Sequence, residues 1–184
     1  MEVSMDTNRL EVLMSKIIDG DLEALEGLYR GFHHAVFTYS LYLLRNRAQA
    51  EDNAQDVFLQ IWAKVSSYKK GSSPTGWIMR ITHNLAIDRV RRQGREISFE
   101  DVPENEPTFG EGVEQQSAER IDLEAVLRIL EPKDRQIVLL RAVADLPLKE
   151  VAQLCSLPLS TVHWRYRRAL RILSQSIKNN GGHI

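Results

Sequence analysis

A chain of 184 residues with 43 % hydrophobic content supports one or two small packed domains, and its few aromatics and glycines suit helices. The formal net charge of −1 removes any argument for nucleic acid from overall charge, and a single cysteine, Cys155, excludes an intramolecular disulfide framework. No apolar run reaches the length of a membrane span and MEVSMDTNRLEV lacks the features of a signal peptide, so a soluble, cytoplasmic protein is expected. Charge is informative only by its placement. Residues 63–95 are basic with Asp88 as the one acid, residues 96–119 carry eight acids and no Lys or Arg, and residues 160–178 carry five basic residues and no acid.

Asp6 or Thr7 can cap a short helix in which Leu10, Leu13, Met14 and Ile17 make an apolar stripe that ends near Gly20. Asp21 caps a longer helix to about Arg45, with Leu22, Leu25, Leu28, Tyr29, Val36, Phe37, Leu41 and Leu44 as its core side. His33 and His34 would point about 100° apart on that helix with no acid or cysteine at ligand spacing, so they read as surface residues; no metal and no cofactor is expected. In AEDNAQDVFLQIWAKV, residues Ala54, Val57, Phe58, Ile61, Trp62 and Val65 share the side to be buried, while Asp52, Asp56, Leu59 and Gln60 lie opposite. Acids beside an exposed leucine fit a docking surface for a basic protein, and equally a solvated face with one stray leucine.

YKKGSSPTG, residues 68–76, is a loop by composition, and its Tyr68, Lys69 and Ser72 suit the capture of an unstacked base. It leads into WIMRITHNLAIDRVRRQGR. There Trp77, Ile78, Ile81 and Leu85 should meet a core, while Arg80, Asn84, Ile87 and Arg91 form a neighbouring stripe followed by Arg89, Arg92 and Arg95. Guanidiniums and an amide along one edge are donors to phosphate and base edges. The acidic segment that follows, with two prolines and two glycines, reads as a flexible linker, either a plain tether or a strand of charge drawn to a basic channel.

Helical patterning resumes at residues 118–130 with Ile121, Leu123, Val126, Leu127 and Leu130, and Pro132 opens a helix carrying Ile137, Val138, Leu140 and the apolar stem of Arg141. A helix from Pro147 to about Cys155, a turn near residues 156–158 and a helix capped by Ser160 make a helix-turn-helix, with Cys155 as a small core residue. In its second helix Val162, Tyr166, Ala169 and Leu173 face inward, and Trp164, Arg167, Arg168 and Arg171, with Ser160 and Thr161, face outward as a recognition helix would.

In this order the segments resemble the extracytoplasmic-function class of bacterial sigma factors. AEDNAQDVFLQIW is similar to that family's polymerase-binding helix, WIMRITHNLAIDRVRR to its helix for the minus-ten element, and RQIVLLRAVADLPLKEVAQLCSLPLSTVHWRYRRAL to its helix-turn-helix for the minus-thirty-five element. The resemblance implies an all-α chain of two small helical domains: a region 2 domain at 7–95, an acidic linker at 96–117 and a region 4 domain at 118–178. It places Asp52, Gln55, Asp56, Phe58 and Leu59 at or near the polymerase-binding surface, and of these the wheel buries Phe58 as a support, leaving Asp52, Gln55, Asp56 and Leu59 for polymerase binding. It assigns the minus-ten element to Tyr68, Lys69, Ser72, Arg80, Asn84 and Arg91, and the minus-thirty-five element to Ser160, Thr161, His163, Trp164, Arg165 and Arg168. The implied partners are core RNA polymerase, promoter DNA as duplex and as melted non-template strand, and an anti-sigma factor. No catalysis, small-molecule substrate or membrane insertion is implied. The chain departs from the family at His163 and Trp164, where Lys and Ser are usual, at Ser156, where Gly is frequent, and at Cys155, where Leu is typical. Read from the residues alone, a self-sufficient regulator that binds an operator by its helix-turn-helix is the competing class.

Overall fold

The computed structural model describes residues 7–92 and 127–180. The linker expected at 96–117, Arg95, and the apolar positions Ile121, Leu123 and Val126 lie outside the described residues. Among the described residues the chain forms seven α-helices: α1 Thr7–Ile18, α2 Leu22–Leu44, α3 Arg47–Lys64, α4 Pro74–Arg92, α5 Pro132–Val143, α6 Leu148–Leu154 and α7 Leu159–Asn180.

Local chemistry sets the boundaries. After α1, Gly20 takes a left-handed φ of 88°, so that its N–H reaches the Ile17 carbonyl and the Asp21 N–H reaches that of Lys16, both at 3.0 Å. Asp21 then accepts the Ala24 N–H at 3.1 Å and opens α2 as expected. At the other end of α2 a two-residue turn folds α3 back along it: Arg45 is left-handed (φ 53°), and the Asn46 side chain caps α3 by accepting the Gln49 N–H at 3.0 Å. Helix α4 starts at Pro74, earlier than the loop reading allowed. Ser73 Oγ accepts the Gly76 N–H at 2.9 Å, and a proline just after a capping serine is pre-set for the first helical position.

Helices α1–α4 enclose one apolar core, in which Leu10, Met14, Ile17, Leu28, Val36, Val57, Ile61 and Ile78 are sealed from solvent. Asn53 fixes the register inside this bundle by donating to Ser40 Oγ at 2.9 Å and to the Thr82 carbonyl at 3.5 Å. A second core gathers Leu130, Ile137, Leu140, Leu146, Val151, Val162 and Ala169 from the carboxy-terminal helices, and Ala35, Tyr39 and Met79 from α2 and α4 complete it. The two halves therefore share apolar interior. A buried polar chain crosses the seam: Gln136 Nε2 donates to Tyr39 Oη at 2.9 Å, and the same hydroxyl is hydrogen-bonded to His83 Nδ1 at 2.9 Å. The Tyr42 hydroxyl also donates to the Pro132 carbonyl at 2.9 Å.

Several apolar residues expected inside lie at the surface. Leu22 occupies the first turn of α2, where neighbouring Ala24 and Leu25 face the core instead, and it is 66 % exposed. Tyr29 rests its ring on Phe58 at 4.8 Å and keeps its other side in solvent, and Trp62 sits beside fully buried Ile61 on the outer lip of α3. On α4 the buried stripe is Ile78, Met79, Thr82, Ala86 and Val90, while Trp77, Ile81 and Leu85 line the rim of the first core. The cause is tertiary: α4 faces two cores, Ile78 filling one and Met79 the other.

The helix-turn-helix is present, with two changes at its turn. Ser156 adopts φ 53°, its N–H bonding the Gln153 carbonyl at 3.3 Å and the Leu157 N–H that of Ala152 at 3.0 Å. This is the arrangement seen at Gly20, made here by a residue that pays a steric penalty for it. Helix α7 begins at Leu159, its first described bond running from the Val162 N–H to the Pro158 carbonyl at 3.1 Å, so Ser160 falls within the first turn rather than at the cap.

Candidate nucleic-acid interface

Three solvent-facing stripes carry the residues singled out by sequence. On α3, Asp52, Gln55, Asp56 and Leu59 recur at i, i+3, i+4 and i+7 and so share one face. Leu59 is 68 % exposed, Asp52 and Gln55 are open, and Asp56 is half-buried because Arg89 of α4 reaches across to pair with it. Phe58 is buried behind the stripe as a support.

On α4, Arg80, Asn84 and Arg91 are exposed, Arg91 standing 4.0 Å from Asp88. The loop before α4 differs from expectation at its aromatic. Tyr68 is 6 % exposed, its hydroxyl 2.7 Å from Glu11 Oε1 and 2.9 Å from the Ser72 carbonyl, and its ring edge-on to Trp77 at 5.7 Å. Burial and the bond to Glu11 push the phenol up to about 12. A ring so enclosed cannot stack on a base; it pins the loop instead, with Glu11 also accepting the Gly71 N–H at 3.2 Å. Lys69, Lys70 and Ser72 remain outside on that pinned loop. Helix α6 lies over the start of α4: Arg80 Nη2 is 3.4 Å from Gln153 Oε1, and a side chain added at Gly76 would collide with the Glu150 carboxylate.

On α7 three adjacent stripes have different surroundings. Val162, Tyr166, Ala169 and Leu173 pack into the second core, as expected. Ser160, Trp164, Arg167 and Arg171 all face solvent, Trp164 being 59 % exposed, and His163 is exposed beside them. Between these stripes lie Thr161, Arg165, Arg168 and Ile172, each half-buried. Arg165 and Arg168, expected to meet DNA, are turned toward the start of α5. Arg165 Nη1 donates to Asp134 Oδ1 at 2.7 Å, and Arg168 Nη1 donates to Glu131 Oε2 at 3.1 Å while its other amino group engages Glu131 Oε1. Arg168 also stands over the Trp164 ring at 5.5 Å. The Arg168 bonds hold the Glu131 carboxyl below the ordinary carboxylate range, and Glu131 raises Arg168 in return. Sequence reasoning missed Glu131 and Asp134, which read as ordinary acids at a helix start, and it named Arg167 and Arg171 only as outward-facing residues.

Cys155 is half-buried against the second core, where desolvation pushes its thiol up to about 12, in keeping with an inert packing residue. Among the described residues no group of three or more His, Cys, Asp or Glu is placed to hold a metal, and no helix is long and apolar enough to cross a membrane.

Residues 28–96 match the family model of Sigma-70 region 2, and residues 120–173 match that of Sigma-70 region 4. The extracytoplasmic-function RNA polymerase sigma factor SigE of Mycolicibacterium smegmatis is 33 % identical over 158 residues, covering 81 % of this chain and 61 % of that protein. The chain belongs to the extracytoplasmic-function sigma factors. SigK of a Mycobacterium species is 33 % identical over 88 residues, 47 % of this chain and 46 % of that relative, so the chain spans less than two thirds of the length of these two curated relatives. SigW of Bacillus subtilis is 24 % identical over 187 residues, covering 92 % of this chain and all of that one. Among solved structures, sigma factor RpoE in complex with the anti-sigma factor NepR from Bartonella quintana aligns with a TM-score of 0.64 at 24 % identity, over 83 % of this chain and 96 % of that one. CnrH in complex with the cytosolic domain of CnrY aligns at 0.62 and 19 % identity, over 93 % and 98 %. These likenesses establish a sigma-factor fold.

Proposed function

We propose that this sigma factor binds core RNA polymerase, recognises the minus-ten and minus-thirty-five elements of its promoters, and so directs initiation at them. The observation that carries the reading is the pairing of two exposed arginine-bearing helices, α4 and α7, on either side of the acidic segment, with an acid-and-leucine stripe on α3. A regulator acting alone would leave that third stripe without a role.

Division of labour follows the expected boundaries, with a polymerase- and minus-ten-binding unit at 7–95, a linker at 96–117 and a minus-thirty-five unit at 118–178. On α3, Asp52, Gln55, Asp56 and Leu59 present two carboxylates, an amide and an aliphatic knob to a basic, partly apolar polymerase surface. Lys69, Ser72, Arg80, Asn84 and Arg91 offer donors to an unpaired non-template strand, and Tyr68 fixes the loop that holds the first two. A base contact of this kind is worth roughly 1–3 kcal/mol, so a few suffice to favour opening of a short A/T-rich segment. Ser160, Thr161, His163, Trp164 and Arg168 meet the upstream duplex. Family members act by binding, without a reaction of their own. The relatives solved with an anti-sigma factor point to such a partner here, and the protein works where the polymerase is, in the cytoplasm.

The test mixes the protein with bacterial core polymerase and a promoter library and sequences the transcripts. Start sites that appear only with the protein and share two upstream elements are expected, and Asp56→Arg should abolish them without unfolding the chain. Tight binding of a palindromic site by the protein alone, with no polymerase association, would replace this reading with that of a regulator.

A further inference from the structure

The three stripes of α7 differ in what their side chains are free to do. Asp134 has no exposed side-chain surface, and its Oδ1 takes the 2.7 Å bond from Arg165, whose Nη1 is also 3.5 Å from Glu131 Oε2. With Nη1 on Asp134 and Nε sealed from solvent, that guanidinium presents neither of its two-donor edges whole to a base or a phosphate. Withdrawing it would strand a sealed carboxylate with only the Arg168 amino group, 3.5 Å from Oδ2, for company. Arg168 differs, because its chief partner Glu131 keeps about half of its side chain in solvent, so water can take over that carboxylate when Arg168 leaves. Arg167 and Arg171 differ again. Both are exposed, in register with Ser160 and Trp164 at i+7 and i+11, and neither has an ion-pair or hydrogen-bond partner among the described residues.

We infer that Arg165 is a positioning residue, clamped to Asp134 to fix the axial rotation of α7, and that Arg167 is the side chain that reads the upstream duplex. This rests on the minus-thirty-five role proposed for α7. Were α7 to turn by one stripe, about 100°, Arg167 would swing out of the groove and Arg165 toward solvent. Turning is opposed on one side by Val162 and Ala169 in the core and on the other by the Arg165–Asp134 contact. The clamp therefore decides which of the neighbouring arginines faces DNA. Trp164, adjacent to Arg168 and on the free stripe, flanks the reading position where the family usually has a small serine.

The experiment uses holoenzyme assembled from core polymerase and full-length protein, with a fluorescein-labelled duplex bearing the upstream element recovered from the wild-type transcripts. Arg165→Met alone should lower the thermal midpoint and weaken duplex binding. The pair Asp134→Leu with Arg165→Met, which replaces the buried ions by apolar groups of similar size, should restore both the midpoint and binding to within threefold of wild type. Arg167→Ala should leave the midpoint unchanged, weaken binding roughly tenfold or more and relax base preference at one position when the selection is repeated. Arg165→Lys, which keeps the buried charge paired, should leave the selected sequence unaltered. A folded Asp134→Leu, Arg165→Met protein that still binds as poorly as Arg165→Met would overturn the inference, as would a changed sequence preference in Arg165→Lys or a silent Arg167→Ala. Failure of the wild-type holoenzyme to select any upstream element would instead remove the reading of α7 on which the inference stands.

Discussion

Each half of the molecule ties an acid on one helix to an arginine on its basic helix, and the two ties differ in where they are made. Asp56 and Arg89 join α3 to α4 at the surface, with 48 % and 28 % of their side chains exposed. Asp134 and Arg165 join α5 to α7 with 0 % and 21 % exposed. The first pair can trade each other for water or for a partner's charges at little cost, which suits the docking role proposed for Asp56. The second pair has no such exchange open to it, because a carboxylate without water depends on its guanidinium. An arginine counted in the sequence is therefore not always an arginine available to DNA. Solvent access at its partner decides.

The sharpest way to break the comparison is to cut both ties in the same manner. Arg165→Met should cost roughly 3–5 kcal/mol of stability in urea unfolding, since it leaves Asp134 buried and underpaired. Arg89→Met, by contrast, should move stability by no more than about 1 kcal/mol in the same assay, as exposed pairs do. Equal losses would mean that burial does not separate the two ties. Between these extremes lies a second contrast across the halves, the same helix-ending turn made by Gly20 and by Ser156. Ser156→Gly should raise stability by about 1 kcal/mol, the cost of a left-handed L-residue less the extra freedom glycine gains when unfolded.

The smallest effect concerns pH. Burial lowers the pKa of His83 below its ordinary 6.5. As pH falls from 6.5 toward that lowered value the unfolded chain binds a proton that the folded chain resists, so stability is full above 6.5 and declines below it. Thermal midpoints measured from pH 7.5 to 5 should fall on acidification, and His83→Gln should flatten the decline. An unchanged slope would place the titration elsewhere, His33 being the other histidine among the described residues whose pKa burial lowers.

Much of this was legible in the chain. Asp21 announced its helix start, the i, i+3, i+4 spacing in α1 and α7 gave the correct inward faces, and Asp52, Asp56 and Leu59 emerged on the open side of α3 as the wheel placed them, whereas Gln60, placed with them, is half-buried. What escaped was set by contacts far apart in sequence. A wheel assigns one buried face per helix, so it missed Met79, which is buried only because α4 also meets the carboxy-terminal half. It left Trp62 inside because nothing local distinguishes it from Ile61. Tyr68 read as an exposed ring in a polar loop, whereas it joins the first core beside Trp77 and bonds Glu11, 57 positions away. Asp134, three residues into a helix after Glu131–Pro132, has the sequence signature of an acid placed for the helix dipole, which hides its tie to α7.

The seam between the halves carries one more consequence. Tyr39, Met79 and Ala35 are dry only while α5 and α6 lie against them, and Gln136 and His83 both bond the Tyr39 hydroxyl. A partner that must hold the two halves apart can engage only the fraction of molecules in which that seam has opened. Its apparent affinity is its intrinsic affinity scaled by that fraction, so each tenfold gain in the stability of the seam takes tenfold from the binding such a partner achieves. The side chains that close the seam thus set an equilibrium threshold on every such partner, without touching any of them.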